Sequence, residues 1–183
     1  FYFHATDDPP EVRERMFPIP RRPTAVAIAA LLLTALGRAG AESVTLAPAR
    51  DNTLYQDAAE SNGAGAWFFA GRTAEGSGSI RRGLLAFDLA AIPSGATVTG
   101  ATLTLRMSKT PSGAQTVSLH RVLADWGEGS SDAGGQEGAG AAATAGDATW
   151  TRAFSGGAAW AAPGGDFATA ASASQSVSGV ASY

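Results

Sequence analysis

From Ile80 to Leu89 the chain carries apolar side chains on both faces, at Leu84, Leu85, Ala86 and Phe87, as a central strand covered on two sides does. Pro93-Ser94-Gly95 supplies a turn, and beyond it Ala101, Leu103, Leu105 and Met107 fall on one face with Thr102, Thr104 and Arg106 on the other. Such alternation predicts a half-buried strand whose register is fixed, because a slip of one residue would turn every apolar side chain to water. Ser43–Ala47, Thr53–Gln56, Ala66–Ala70 and Thr116–Leu123 read as further strands, the last with Val117 and Leu119 inward. Asp51-Asn52 and Ser61 to Gly65 read as turns, since Asn-Gly accepts positive φ. Strand-sized runs with Gly/Pro/Asn punctuation and no helical periodicity predict an all-β fold, an antiparallel β-sandwich of jelly-roll type.

The ends of the chain differ from this body. Residues 1–15 hold Asp7, Asp8, Glu11 and Glu14 around Pro9-Pro10, and read as upstream sequence translated ahead of a true start at Met16. Residues 16–41 follow the secretory pattern: Arg21-Arg22, the apolar run Ala25 to Leu36, and the small-residue exit Ala39-Gly40-Ala41. The apolar run is too short to span a bilayer core, which needs about 20 residues. Pro23-Thr24 after the arginine pair argues against the twin-arginine route. Cleavage after Ala41 predicts an exported mature chain, secreted or held at the cell surface, with residues 42–183 as one domain. The chain has no cysteine, so an exported domain must hold itself by its core or with help from a metal. Thirteen basic residues, of which only Lys109 is lysine, are scattered along a chain of net charge −3. That excludes nucleic acid as a natural partner and suggests a GC-rich bacterial genome.

Gly127 to Gly146 is a long Gly/Ala/Ser loop, which must be functional or mobile. Trp126, Trp150 and Trp160 flank it and are expected to anchor it. Beyond Ala168 only Val177, Val180 and Tyr183 add apolar weight. No closing strand is expected there, so the sandwich is predicted to lack its last strands.

The blocks Asp51-Asn52-Thr53-Leu54-Tyr55, Ser61-Asn62-Gly63, Gly71-Arg72, Arg81 to Asp88, Ile92 to Ala96, Leu103-Thr104-Leu105, Asp125 to Gly129, Asp147 to Trp150 and Gly164 to Phe167 together resemble the DNRLRE domain. That group is similar to carbohydrate-binding module family 96 and to disaggregatase-related repeats. The resemblance covers Ser43 to about Tyr183 and is most specific in the arginine-rich strand ending Phe87-Asp88. It implies a bacterial or archaeal extracellular jelly roll, some of whose relatives bind acidic polysaccharides such as alginate. It names no sugar, because fold does not fix function.

Candidate ligand-binding residues follow from chemistry. Arg81 and Arg82 point to opposite faces of their strand. Arg82, with Arg106 and Lys109 on the next strand, offers a cationic strip suited to sugar carboxylates; the structural alternative pairs the arginines with Asp88 or a rim acid. Trp67, beside Phe68 and Phe69, offers a stacking platform, against core packing for all three. Asp125, Glu128, Asp132 and Asp147 surround the Gly-rich loop with oxygens that Ca²⁺ accepts, although their spacing matches no fixed motif. Catalytic machinery is thin. His120, with Ser118 on the same face, has no nucleophile elbow, and His120, Tyr55 and Arg82 would need to converge to form a lyase-like set. The expected function is a non-catalytic module recognising a polysaccharide or cell-surface glycan, an acidic one among the options. The alternatives are a structural or adhesive spacer and, third, a polysaccharide lyase.

Overall fold

The computed structural model describes residues 2–4, 42–56 and 58–183. The leader assigned to 16–41, and the upstream segment apart from Tyr2–His4, lie outside the described residues. Tyr2–His4 and the chain from Leu46 to Tyr183 belong to one compact unit. Of the other, Asp7–Thr45, only residues 42–45 are described, exposed and without strand.

Among the described residues there is no helix, and every strand pair is antiparallel. The strands, in chain order, are β1 (Tyr2–His4), β2 (Pro48–Tyr55), β3 (Glu60–Ser61), β4 (Phe68–Phe69), β5 (Gly71–Arg72), β6 (Ile80–Phe87), β7 (Arg106–Lys109), β8 (Gln115–Leu119), β9 (Ala141–Ala142), β10 (Ala173–Val177) and β11 (Ala181–Ser182). They form sheets of order β11-β7-β1-β4, β2-β6-β5, β10-β8 and β3-β9.

The longest ladder joins β2 to β6, with Asn52 opposite Leu84 and Tyr55 opposite Arg81. Asp51-Asn52, expected as a turn, therefore lies inside a strand. Leu54 and Leu84 are buried with Trp126, Ala148, Trp150, Ala153 and Trp160 in one core, so the three tryptophans do anchor the long loop. Phe68, Met107 and Val177 form a second core, with Leu85, Leu105 and Val117 against it. Gly83 lets the Phe68 ring lie flat on β6: a Cβ there would meet the ring at 2.4 Å.

Several strand expectations are corrected. Ser43–Ala47 forms no strand, and Ala66–Ala70 shortens to β4. Of the alternating run Ala101–Met107, only Arg106 and Met107 lie in β7, although burial still alternates from Leu103 to Met107. Alternation sets which face is apolar, but a strand also needs a neighbour to bond to. Leu119, expected inward, is 42% exposed, because β8 pairs only with β10 at the rim. Beyond Ala168, where none was expected, β10 pairs with β8 over five residues and β11 pairs with β7. Here the register of an existing partner outweighs the weak strand signal of an Ala/Ser-rich segment.

Candidate functional site

β6 and β8 bound an open cleft of about 690 Å³. Its lining includes Thr116 and Ser118 of β8, His120 just after that strand, Arg82 of β6, and Phe167. Val122 and Phe167 form an antiparallel bridge that brings the 164–167 turn to this place. Polar groups together with an aromatic ring are what a small polar ligand needs for orientation and stacking.

Arg82 is held on three sides. Its guanidinium lies 4.9 Å from the Trp150 ring centre and 4.8 Å from that of Phe167, and Nη1 donates to the Gly164 carbonyl at 2.5 Å. Burial pulls its pKa below the ordinary arginine value, since a desolvated cation is disfavoured. Gly164, at φ 94°, has no room for a side chain: a Cβ would meet Arg82 Nη1 at 2.4 Å. Arg81, on the opposite face as expected, lies 4.8 Å from the Tyr55 ring centre and donates to the Gly78 and Ile80 carbonyls. Among the described residues neither arginine pairs with Asp88 or another acid. Their guanidinium groups face rings and backbone carbonyls, a structural role reached by a route the sequence did not indicate, and Arg81 Nε is buried with no hydrogen-bond partner among the described residues. His120 packs edge-on against Phe167 at 5.4 Å and its Nδ1 donates to the Ala168 carbonyl at 2.9 Å. That fixes its tautomer.

The remaining candidates lie elsewhere. Arg106 and Lys109 are exposed on β7, Lys109 bonding Gln136, and neither lines the cleft. Trp67 is half-buried and its backbone is tied at both ends, the N–H to Glu137 and the carbonyl to Asn62. Phe68 and Phe69 are core. Tyr55, completely enclosed, donates its hydroxyl to the Glu137 carbonyl and does not join His120 and Arg82 at the cleft.

The four acids proposed around the long loop have separate duties. Asp125 is exposed and paired with Arg50 at 3.0 Å, and the hydrogen bond from Arg50 holds its carboxyl below the usual range. Glu128 Oε1 accepts from the Asp51 N–H at 2.9 Å. Asp132 is exposed. Asp147 is fully buried: Oδ2 accepts from the Thr144 N–H and hydroxyl at 2.5 and 3.1 Å, and Oδ1 faces the Ser131 N–H at 3.4 Å. Among the described residues no three Asp, Glu or His side chains converge in a way that could hold a metal. Burial, and after it the nearby Glu128 charge, pushes the Asp51 carboxyl pKa up to about 6.

Sequence reasoning also missed a buried polar network around Asn52 and Asn62. Asn52 Oδ1 accepts from the Thr53 N–H, the Asn62 N–H and the Ser61 hydroxyl, while its Nδ2 donates to the Glu128 carbonyl. Asn62 donates to Trp67 O and Glu137 Oε2 and accepts from the Ala133 N–H. Its partners are up to 75 residues away, so spacing gave no signal beyond two Asn in apolar surroundings. No protein-family model, curated protein or solved structure matches this chain.

Proposed function

We propose that this chain is an exported, non-catalytic module of the β-sandwich class that binds a polysaccharide in the cleft between β6 and β8. The observation that carries the proposal is an open cleft of about 690 Å³ whose lining includes both the hydroxyl-bearing residues Thr116 and Ser118 and the aromatic Phe167. Sugars are bound by such a combination of stacking and many directed hydrogen bonds. Arg72, exposed at the rim, adds a cation that suits an acidic sugar. Export rests on the leader-like residues 16–41.

Affinity electrophoresis in gels containing alginate, pectin or chitin tests the proposal. Retardation by at least one polymer is expected, lost in Ser118→Trp, which fills the cleft, and weakened on acidic polymers in Arg72→Glu. Migration unchanged by every polymer overturns it. A spacer reading is favoured by Arg81 and Arg82, whose guanidinium groups serve rings and backbone carbonyls, and it predicts that unchanged migration. The lyase alternative predicts rising ultraviolet absorbance from unsaturated uronates on incubation with alginate or pectin.

A further inference from the structure

The chain has two asparagines, Asn52 and Asn62, and only Asn62 is followed by glycine. Asn-Gly is the dipeptide most open to deamidation, because glycine has no Cβ to hold its nitrogen away from the neighbouring side-chain amide. The reaction needs an amide free to turn onto the next backbone nitrogen, a nitrogen free to lose its proton, and water. The fold withholds all three. Asn62 is completely buried. Its Nδ2 donates to the Trp67 carbonyl at 2.8 Å and to Glu137 Oε2 at 2.9 Å, and its Oδ1 accepts from the Ala133 N–H at 3.0 Å. The Gly63 N–H already donates to Ser131 Oγ at 3.2 Å. Gly65 packs against the same amide so closely that a Cβ there would lie 2.1 Å from Nδ2.

We propose that Asn62-Gly63 is a latent modification site, which deamidates only while the chain is unfolded and whose conversion bars that chain from folding again. In the open chain the Gly63 nitrogen gives up its proton and attacks Asn62 Cγ. The new N–Cγ bond closes a succinimide, and Nδ2 takes up the proton and leaves as ammonia. Water then opens the ring at one of its two carbonyls, leaving an aspartyl or an isoaspartyl residue at position 62. Neither product fits the site. A carboxylate has no proton to donate to the Trp67 carbonyl. It would also stand at hydrogen-bond distance from the Glu137 carboxylate, where two like charges out of water repel. The isoaspartyl form adds a carbon to the main chain between two N–H groups that are both held, that of Asn62 by Asn52 Oδ1 and that of Gly63 by Ser131 Oγ. The groups that protect the amide therefore reject its product. A native chain reacts only through the small fraction unfolded at any moment, so a copy that unfolds often is the one retired.

Incubating the full chain at neutral pH with and without urea, with peptide mapping by mass spectrometry at position 62, tests this. Conversion in native buffer should be at least about a hundredfold slower than in urea, since the unfolded fraction of a native protein is about 10⁻³ or less. Chains partly converted in urea are then diluted into buffer, and the folded and unfolded fractions are separated by size. The deamidated peptide is expected in the unfolded fraction alone. Asn62→Asp installs one product directly and should populate the unfolded state at least about a hundredfold more than wild type. A smaller difference between the two incubation rates overturns the proposal. So do deamidated chains shared evenly between the two fractions, and an Asn62→Asp protein as stable as wild type. If fresh chains do not refold from urea, the two rates and the Asn62→Asp variant carry the test.

Discussion

Glu137 joins the long loop to the aromatic segment, and removing its carboxylate should cost more than any other exposed-loop truncation. Oε2 accepts from Trp67 N–H at 3.0 Å and Asn62 Nδ2 at 2.9 Å, and Oε1 accepts from Ala66 N–H at 3.3 Å. A hydrogen bond to a charged acceptor contributes about 1.5–3 kcal/mol net. The three are not equal. Ala66 N–H is exposed and can turn to water, and Asn62 Nδ2 keeps Trp67 O as an acceptor. Trp67 N–H is part-buried, so the bond it donates to Glu137 Oε2 is the one of the three that water replaces least readily. Glu137→Ala should therefore destabilise the fold by about 2–4 kcal/mol, or about 6–15 °C in Tm for a domain of this size. The residue also sits at φ 58°, which costs a non-glycine residue about 1 kcal/mol. Glu137→Gly loses the same bonds but relieves that cost, so it should melt above Glu137→Ala by a few degrees. Chemical denaturation read by tryptophan fluorescence measures both variants. A Glu137→Ala protein within about 0.5 kcal/mol of wild type would refute the reasoning.

Three further outcomes follow from the same geometry. Asp51 titrates near 6 in the fold against 3.8 otherwise, so the folded state holds a proton that the unfolded chain has lost between those values. Stability attributable to Asp51 should then be full below pH 4 and fall as pH rises to about 6. Asp51→Asn should gain about 1 kcal/mol at pH 7, allowing for solvent screening of a half-buried group, and nothing at pH 3.5; urea midpoints at the two pH values decide it. Gly127→Ala would put a Cβ 1.7 Å from the Gly146 carbonyl oxygen and should unfold the loop or cost more than about 3 kcal/mol. Gly156→Ala, at φ 78° with no atom within 4 Å, should cost only about 1 kcal/mol in the same urea titration. Chelator should leave the melting midpoint within about 1 °C, because Asp147 and Glu137 already receive backbone amides; a fall of several degrees would mean that these carboxylates also hold calcium.

The sequence was legible where structure is set by near neighbours. Leu84, Leu85 and Phe87 marked β6 through their own spacing, and the tryptophans marked the loop anchors through their size. It was illegible where the partner lies far along the chain. Arg82 could be placed on a face, but not between Trp150 and Phe167, which lie more than sixty residues downstream. Asn62-Gly63 was read as a turn for its tolerance of positive φ. The turn is there, yet Gly63 has no positive φ, and glycine is needed because a Cβ would sit 1.7 Å from the Glu128 carbonyl oxygen. The residue was right and the reason was non-local. The strip of Arg82, Arg106 and Lys109 assumed that neighbours in sequence pair in space; β7 instead joins β11 and β1, so Arg106 and Lys109 lie away from the cleft.

A shared physical cause lies behind both the corrected strands and the missed network. With no cysteine to cross-link it and a small apolar core in two separate clusters, the domain cannot rely on hydrophobic burial alone to fix its long loop. Buried polar groups add the needed specificity only when every member is satisfied. Asn52 meets that condition through four bonds, and Asp147 through Thr144 and Ser131. Both residues are fully buried, so replacing either with an isosteric leucine would strand its partners' N–H groups rather than enlarge the core. The loop's composition, rich in Gly, Ala and Ser, follows from this arrangement: small residues let the backbone approach these side chains closely, and Gly129, where a Cβ would lie 1.5 Å from Asp147 Oδ1, is the tightest instance. A stretch that resembles a mobile linker in composition is therefore held in one conformation by carboxylates and amides contributed from within the loop and from β2.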